Sequence, residues 1–103
     1  LNLKYSNEVV KFYVSENLRK NTFFLEKDNK LVINKKFFQQ PYEVIFRSLS
    51  ESLRLIGGKY YPVRGKKLDR IILDNKKSHF FKLTLGGCII EKVNQTVKIS
   101  KEI

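Results

Sequence analysis

The chain has 103 residues, a net charge of +11 and a hydrophobic fraction of 42%. That length and composition predict one folded domain, too short for two cores and too apolar for a disordered tail. Its apolar runs fall short of the ~20 residues that a membrane-spanning helix needs. The single cysteine excludes an internal disulfide and fits a reducing compartment. We therefore expect a cytoplasmic domain without a membrane partner, and its start at Leu1 rather than methionine suggests part of a longer polypeptide.

The first third of the chain predicts a helix and a hairpin. Ser6-Asn7-Glu8 is a plausible cap for a helix that runs to about Leu18. Its core-facing residues should be Val9, Val10, Tyr13 and Val14. The segment TFFLEKDNKLVIN then places two short apolar runs around Asp28-Asn29, which predicts a hairpin over 22–34. Asn34 should cap a short turn that carries Phe37 and Phe38.

The second helix has the clearest pattern. Pro41 suits a helix start, and the helix should run from about Tyr42 to Ile56. Gly57 or Gly58 would supply its left-handed C-cap. At 100° per residue, one face carries Ile45, Phe46, Leu49, Leu53 and Ile56, and the opposite face carries Glu43, Arg47, Ser50, Glu51 and Arg54.

The last helix should run from about Lys66 to Lys76 and bury one apolar face. That face consists of Leu68, Ile71 and Ile72, opposite Lys66, Arg70 and, if the helix extends that far, Lys77. From His79 onward the period changes to two, so FFKLTL, GCIIEKV and TVKIS predict three strands. The last two strands should be joined at Asn94-Gln95.

These elements predict an α+β fold, a small helical domain of about three helices followed by a short antiparallel β-sheet. We expect a single domain over 1–103. Residues of about 1–78 should be mainly helical with the short hairpin at 22–34, and residues of about 79–103 should form antiparallel strands.

Catalytic and metal-binding patterns are not found. His79 has no nucleophile at a useful spacing, and Cys88 lies in an apolar strand where an inert buried thiol is expected. Metal sites need clusters of His, Cys or carboxylates. Neither Gly-Gly pair continues into a nucleotide-binding loop, so the pairs at Gly57 and Gly86 predict a helix cap and a strand bend. We predict no catalytic residue, no metal site and no cofactor in this chain.

The positive charge is concentrated in one segment. Between Lys59 and Lys82, eight basic residues stand against Asp69 and Asp74, so this segment carries +6 of the net +11. A surplus of this size favours a polyanionic partner, nucleic acid before anionic membrane. The competing interpretation is codon drift, because the chain lacks alanine and is rich in Lys, Asn, Ile and Phe.

The start of the last helix carries two cations, which are unfavourable at a helix N-terminus. Lys66 and Lys67 stand where the positive end of the helix dipole disfavours cations. A bound phosphate would reverse that term, and Arg64 could hold it through two parallel hydrogen bonds. Tyr60 and Tyr61 offer rings for base stacking, and the competing interpretation is that they pack in the core.

The segments FRSLSESLRLIGGKYYPVRGKKLDRII, KLTLGGCIIEK and VKISKE resemble the C-terminal part of bacterial tRNA(Ile)-lysidine synthetases. The likeness covers about residues 43–103, and residues 1–42 match only in general pattern. Its motifs combine structural glycines with basic positions rather than catalytic groups.

The resemblance implies a function for a longer protein. Such enzymes use ATP to adenylate the wobble cytidine of an isoleucine tRNA with a CAU anticodon, and free lysine then displaces AMP. ATP, with magnesium, and lysine are thus substrates of the full-length ligase. Its catalytic PP-loop domain carries an S-G-G-x-D-S motif that is absent here. This chain alone should therefore be inactive and should help hold the tRNA.

Three interpretations remain open at this point. The chain is the tRNA-binding portion of such a synthetase, a self-contained nucleic-acid-binding module of another family, or a scaffold domain whose charge is codon drift. A homodimer is left open. The predicted tRNA-binding residues are Arg54, Lys59, Arg64, Lys66, Lys67, Arg70 and Lys77, with Tyr60 and Tyr61 as candidate stacking residues.

Overall fold

The computed structural model describes residues 3–58 and 65–102, with side chains from Asn7 onward. The helices in these ranges are α1 (Leu3–Asn21), α2 (Tyr42–Gly57) and α3 (Lys66–Lys77), with 3-10 turns at Glu26–Asp28 and Lys35–Gln39. The strands are β1 (Thr22–Leu25), β2 (Lys30–Ile33), β3 (Phe80–Leu85), β4 (Cys88–Val93) and β5 (Thr96–Lys101). The predicted α+β class is confirmed.

All five strands belong to one antiparallel sheet of order β1-β2-β5-β4-β3. The predicted hairpin over 22–34 forms, with Asn29 in the left-handed conformation at its turn. It does not stand apart from the C-terminal strands, because β2 pairs with β5 and places Leu31 opposite Ile99. The sheet is therefore assembled from both ends of the chain.

The core lies between one face of this sheet and the helices. Alternate strand residues such as Ile33, Ile90 and Ile99 are fully buried, as their period of two requires. Leu49 and Leu53 of α2 belong to the same buried cluster, as do Leu68, Ile71 and Ile72 of α3. Each such side chain contributes about 1.5–3 kcal/mol through removal from water. The result is a two-layer domain with helices on one face of the sheet.

Helix α2 confirms the predicted bounds and apolar face, with Phe46 half-buried beside four buried residues. Gly58 ends the helix at φ 71°, and its N–H donates to the carbonyl of Arg54. One prediction for the opposite face is wrong, because Ser50 is buried. It lines a groove between α1 and α2, so the neighbouring helix covers a position that periodicity assigned to solvent.

Helix α1 differs most from the prediction. It begins at Leu3, so the expected cap at Ser6-Asn7-Glu8 lies inside the helix. Polar residues of this kind cost only about 0.5 kcal/mol within a helix and do not force a start there. Val9 and Tyr13 are exposed rather than inward.

The buried stripe of α1 contains amides instead. Asn17 is 3% exposed and donates to the carbonyl of Phe37 at 3.3 Å and to the hydroxyl of Ser48 at 3.1 Å. Its own side-chain oxygen accepts from Asn21 at 2.8 Å. Because these amides are hydrogen-bonded, their burial is compensated.

The remaining turns are made by local chemistry. Asn34 caps the turn at Lys35–Gln39 as predicted, and its side chain accepts from the N–H of Phe37. Gly86 and Gly87 do not bend a strand. They form the two-residue turn between β3 and β4, with φ of 62° and 78°. Two positive φ values define the turn type that matches strand twist, and glycine adopts it without strain.

Candidate nucleic-acid interface

The apolar face of α3 determines which of its side chains meet solvent. Leu68, Ile71 and Ile72 are at most 3% exposed and pack into the core. A period of 3.6 residues then directs Lys66, Arg70 and Lys77 away from the core, and all three are exposed. The helix does extend to Lys77, so the third predicted member joins the row.

These residues form one outward row, hereafter the cationic row (Lys66, Arg70 and Lys77). The row is about 16 Å long at 1.5 Å per residue. Leu73 lies within it and is exposed. Lys67 is also exposed but sits to one side of the row, about a quarter turn round the helix axis. The structure therefore brings three predicted residues together and places the fourth beside them.

Both arginines of α2 are paired with carboxylates, and two cations of α1 share one carboxylate. Arg47 lies 2.9 Å from Glu43 along one face of α2. On α1, Glu16 contacts Arg19 at 3.0 Å and Lys20 at 3.3 Å. Pairs of this kind remove net charge from a surface even though each stabilises the fold only slightly.

The basic side chains of helix α3 are less compensated by carboxylates. It has five basic and two acidic side chains. Within residues 3–58 and 65–102, no carboxylate approaches Lys66, Lys67, Lys76 or Lys77 within 4.0 Å, and the Arg70 to Asp74 distance of 3.8 Å exceeds a hydrogen bond. Its positive charge is the least compensated of the three helices.

Arg54, the predicted α2 contact, is held by Glu51. Its Nε donates to one carboxylate oxygen at 3.1 Å and its Nη2 donates to the other. This fork lowers the pKa of Glu51 and raises that of Arg54, because each charge stabilises the other. Arg54 therefore offers less unpaired charge to an RNA than the cationic row, and its contact with tRNA stays a prediction.

The start of α3 has an unusual backbone. Gly65 precedes the helix at φ 102° and ψ −166°, a conformation open to glycine and strained for other residues. No described side chain caps this end, and Asp69 is the acidic residue of the first turn. Lys59, Tyr60, Tyr61 and Arg64 lie outside the described residues, so their roles stay predictions.

Further exposed lysines were not predicted as contact residues from the sequence. Lys35 and Lys36 follow the cap at Asn34, and Lys30, Lys82 and Lys98 lie on the outer face of the sheet. Strand alternation could have grouped the last three, because each lies next in sequence to a residue on the inner face of the sheet. The neighbours of Lys35 and Lys36 on α1 could not be inferred from local pattern.

The two residues considered for catalysis, Cys88 and His79, lie in different environments. Cys88 is buried with its thiol donating to the carbonyl of Leu53 at 3.3 Å, whereas His79 is exposed. In the described part of the chain no three His, Cys, Asp or Glu side chains are placed to hold a metal ion. None of its helices is both long enough and apolar enough to cross a membrane.

Comparisons with protein-family models, curated proteins and solved structures found no match to this chain.

Proposed function

We propose that this chain is a tRNA-binding domain of a cytoplasmic tRNA(Ile)-lysidine synthetase. The observation that carries the RNA-binding part is the cationic row, an exposed line of charge that carboxylates leave largely uncompensated. Such a line suits the phosphate backbone, which supplies most of the affinity of basic proteins for nucleic acids.

The resemblance of residues 43–103 to the C-terminal part of these enzymes supports the choice of RNA. On that basis the partner is an isoleucine tRNA with a CAU anticodon. The domain holds the tRNA while a PP-loop domain elsewhere in the polypeptide uses ATP and lysine. The full-length protein is then a carbon-nitrogen ligase, and this chain alone turns over no substrate.

Charge reversal in the cationic row tests the binding. Lys66→Glu/Arg70→Glu should weaken tRNA binding at least ten-fold, because it removes two favourable charges and adds two repulsive ones. The slope of log affinity against log salt should fall by about 0.7–0.9 for each phosphate that the variant no longer neutralises. Fluorescence titrations with the tRNA at several salt concentrations measure both quantities.

The matched control is Lys11→Glu/Lys27→Glu, the same change in charge at two exposed lysines outside α3. If both double variants lose the same affinity, binding follows net charge and the row has no special role. Salt-independent binding of the parent would favour the scaffold interpretation.

A longer gene product tests the family assignment. An S-G-G-x-D-S motif upstream of Leu1, together with lysine-dependent release of AMP in the presence of the tRNA, is the expected result. RNA binding without that motif or activity would favour a binding module of another family.

A further inference from the structure

Two cavities meet on the side of the molecule formed by α1 and the turn at Lys35–Gln39. Their volumes are about 630 and 340 Å³. Lys20, Asn21 and Gln40 line both, so the cavities form one continuous groove. Concave sites of this size are large enough for small ligands. We call this surface the α1 groove.

The two ends of the α1 groove differ in chemistry. Phe12 and Tyr13 line one end, with their rings 5.4 Å apart in an edge-on arrangement. They are 60% and 51% exposed, so their faces are available to a partner. Lys35 and Lys36 line the other end and are exposed. Neither lysine has a carboxylate within 4.0 Å in the part of the chain that the structure describes.

Amide side chains occupy the middle, and one of them is fixed from the core. Asn21 is 8% exposed, donates to Asn17 at 2.8 Å and accepts from Asn34 at 3.5 Å. Gln40 donates to the carbonyl of Lys36 at 3.1 Å. Beyond that hydrogen bond, the Gln40 amide has an acceptor oxygen and a second N–H, which can pair with the edge of a nucleobase.

This order of rings, amides and lysines along the groove corresponds to the base faces, base edges and phosphates of a single RNA strand. Aromatic faces stack on unpaired bases, amides hydrogen-bond their edges, and lysines attract phosphate. We propose that the α1 groove holds a short unpaired RNA segment, with one base at Phe12 and Tyr13 and phosphates of the strand at Lys35 and Lys36. The proposal rests on the proposed RNA-binding function and adds a second contact, separated from the cationic row by the charge-balanced α2.

The test uses a short single-stranded RNA and the same strand with one abasic nucleotide. Phe12→Leu/Tyr13→Leu keeps apolar side chains but removes both rings. It should weaken binding of the intact strand by about five-fold or more, the lower range for loss of stacking. It should leave binding of the abasic strand unchanged. Tyr42→Leu, at an exposed tyrosine outside the groove, is the aromatic control.

A second experiment tests the two lysines with the variant Lys35→Gln/Lys36→Gln. Removing the two cations that would neutralise phosphates of a single strand should lower the salt slope by about 1.4. Lys82→Gln/Lys98→Gln removes the same charge from the outer face of the sheet and should change the slope less. Amide chemical shifts on titration with the strand should move in α1 and around Lys35.

Several outcomes would overturn the proposal. They are equal binding by the ring variant and its control, equal affinity for the intact and abasic strands, or equal slopes for the two lysine pairs. Free AMP bound as tightly as the strand would replace RNA by a mononucleotide. Failure here leaves tRNA binding through the cationic row intact, because Lys66→Glu/Arg70→Glu tests that row separately.

Discussion

At the scale of single residues, Gly57 marks a close approach between the helices and the sheet. A Cβ added there would overlap the carbonyl oxygen of Gly86 and lie 3.2 Å from the Cys88 sulfur. The end of α2 thus rests directly on the β3–β4 turn. A glycine is required here by space rather than by backbone conformation.

Gly57→Ala should therefore destabilise the domain. Alanine favours a helix by about 1 kcal/mol over glycine, but forced movement of packed backbone costs about 1–3 kcal/mol. We expect a net loss in free energy of unfolding and a melting temperature several degrees lower, measured by circular dichroism. Gly58→Asn is the control, because Gly58 needs a left-handed conformation that asparagine tolerates and has open space around it. A Gly57→Ala protein that melts at or above the parent would show that the layers can separate freely.

Lys92 is a second residue in an unusual environment, because its charged side chain is buried. It is 8% exposed on the inner face of β4, and its ammonium donates to the carbonyl of Asn75 near the end of α3. A cation at that end suits the helix dipole. Burial nevertheless lowers the pKa of Lys92, because the charged form is removed from water.

The lowered pKa of Lys92 has a definite consequence for stability. Below its folded pKa the burial penalty is fully present. Between the folded and unfolded pKa values the unfolded chain binds more protons, so stability rises with pH. Relative to Lys92→Met, the parent should gain free energy of unfolding as pH rises towards the ordinary lysine pKa. Urea titrations across that range measure the difference, and parallel pH profiles would contradict the expectation.

At the scale of elements, α1 is attached by hydrogen bonds where its pattern suggested apolar contacts. Asn17 connects it to Phe37 and Ser48, and Asn21 extends the network. A network of this kind orients a helix, because each donor needs its partner at one place. It also leaves the larger apolar residues of α1, such as Phe12 and Tyr13, exposed.

Asn17→Ala should cost about 2 kcal/mol of unfolding free energy, since buried partners lose their hydrogen bonds at about 1–3 kcal/mol. Asn7→Ala in the same helix is the control. Asn7 is exposed and accepts from Arg47 at 3.2 Å, so its loss should change stability by less than about 0.5 kcal/mol. Chemical denaturation of both variants makes the comparison. Equal losses would mean that the buried network adds nothing to stability.

Substitutions at the start of α3 should affect stability and tRNA binding in different directions. Lys66→Glu/Lys67→Glu should leave the fold as stable or raise stability slightly, because acidic residues at a helix start are worth about 0.3–1 kcal/mol each. The same change should weaken tRNA binding if a phosphate lies at this end. Thermal melts and binding titrations on the same samples measure both.

Lys76→Glu/Lys77→Glu is the opposite-end control. It makes the same change in charge at the C-terminus of α3, where carboxylates are unfavourable, so it should lower stability. If Lys66→Glu/Lys67→Glu binds tRNA as tightly as the parent, no phosphate is held at the helix start.

At the scale of the whole molecule, the fold sorts charges that are mixed along the chain. The balanced pairs of α2 lie in the middle of the helical layer, with α1 on one side and α3 on the other. In the helical layer, cations without a carboxylate partner among the described residues lie on α3 and at Lys35 and Lys36, and further exposed lysines lie on the outer face of the sheet. An extended polyanion, such as the RNA proposed above, would reach both basic areas, whereas a single small anion would reach only one.

Local sequence patterns determined many of the helices, strands and turns of this protein. The face of α2 with Leu49 and Leu53, the buried face of α3 and the alternation of β3–β5 follow from periods of 3.6 and 2 within a few residues. The turn at Asn29 and the cap at Gly58 follow from the few residues that tolerate positive φ. The net charge and its concentration after Lys59 are properties of the chain itself.

Tertiary structure decided the rest, because those features depend on residues far apart in the chain. The β2–β5 pairing joins Leu31 to Ile99, and no local period specifies that partner. Asn17 is buried only because Phe37 and Ser48 supply its hydrogen bonds. Neutralisation of a cation and formation of the α1 groove likewise require side chains brought within a few ångströms by packing, which sequence spacing alone does not determine.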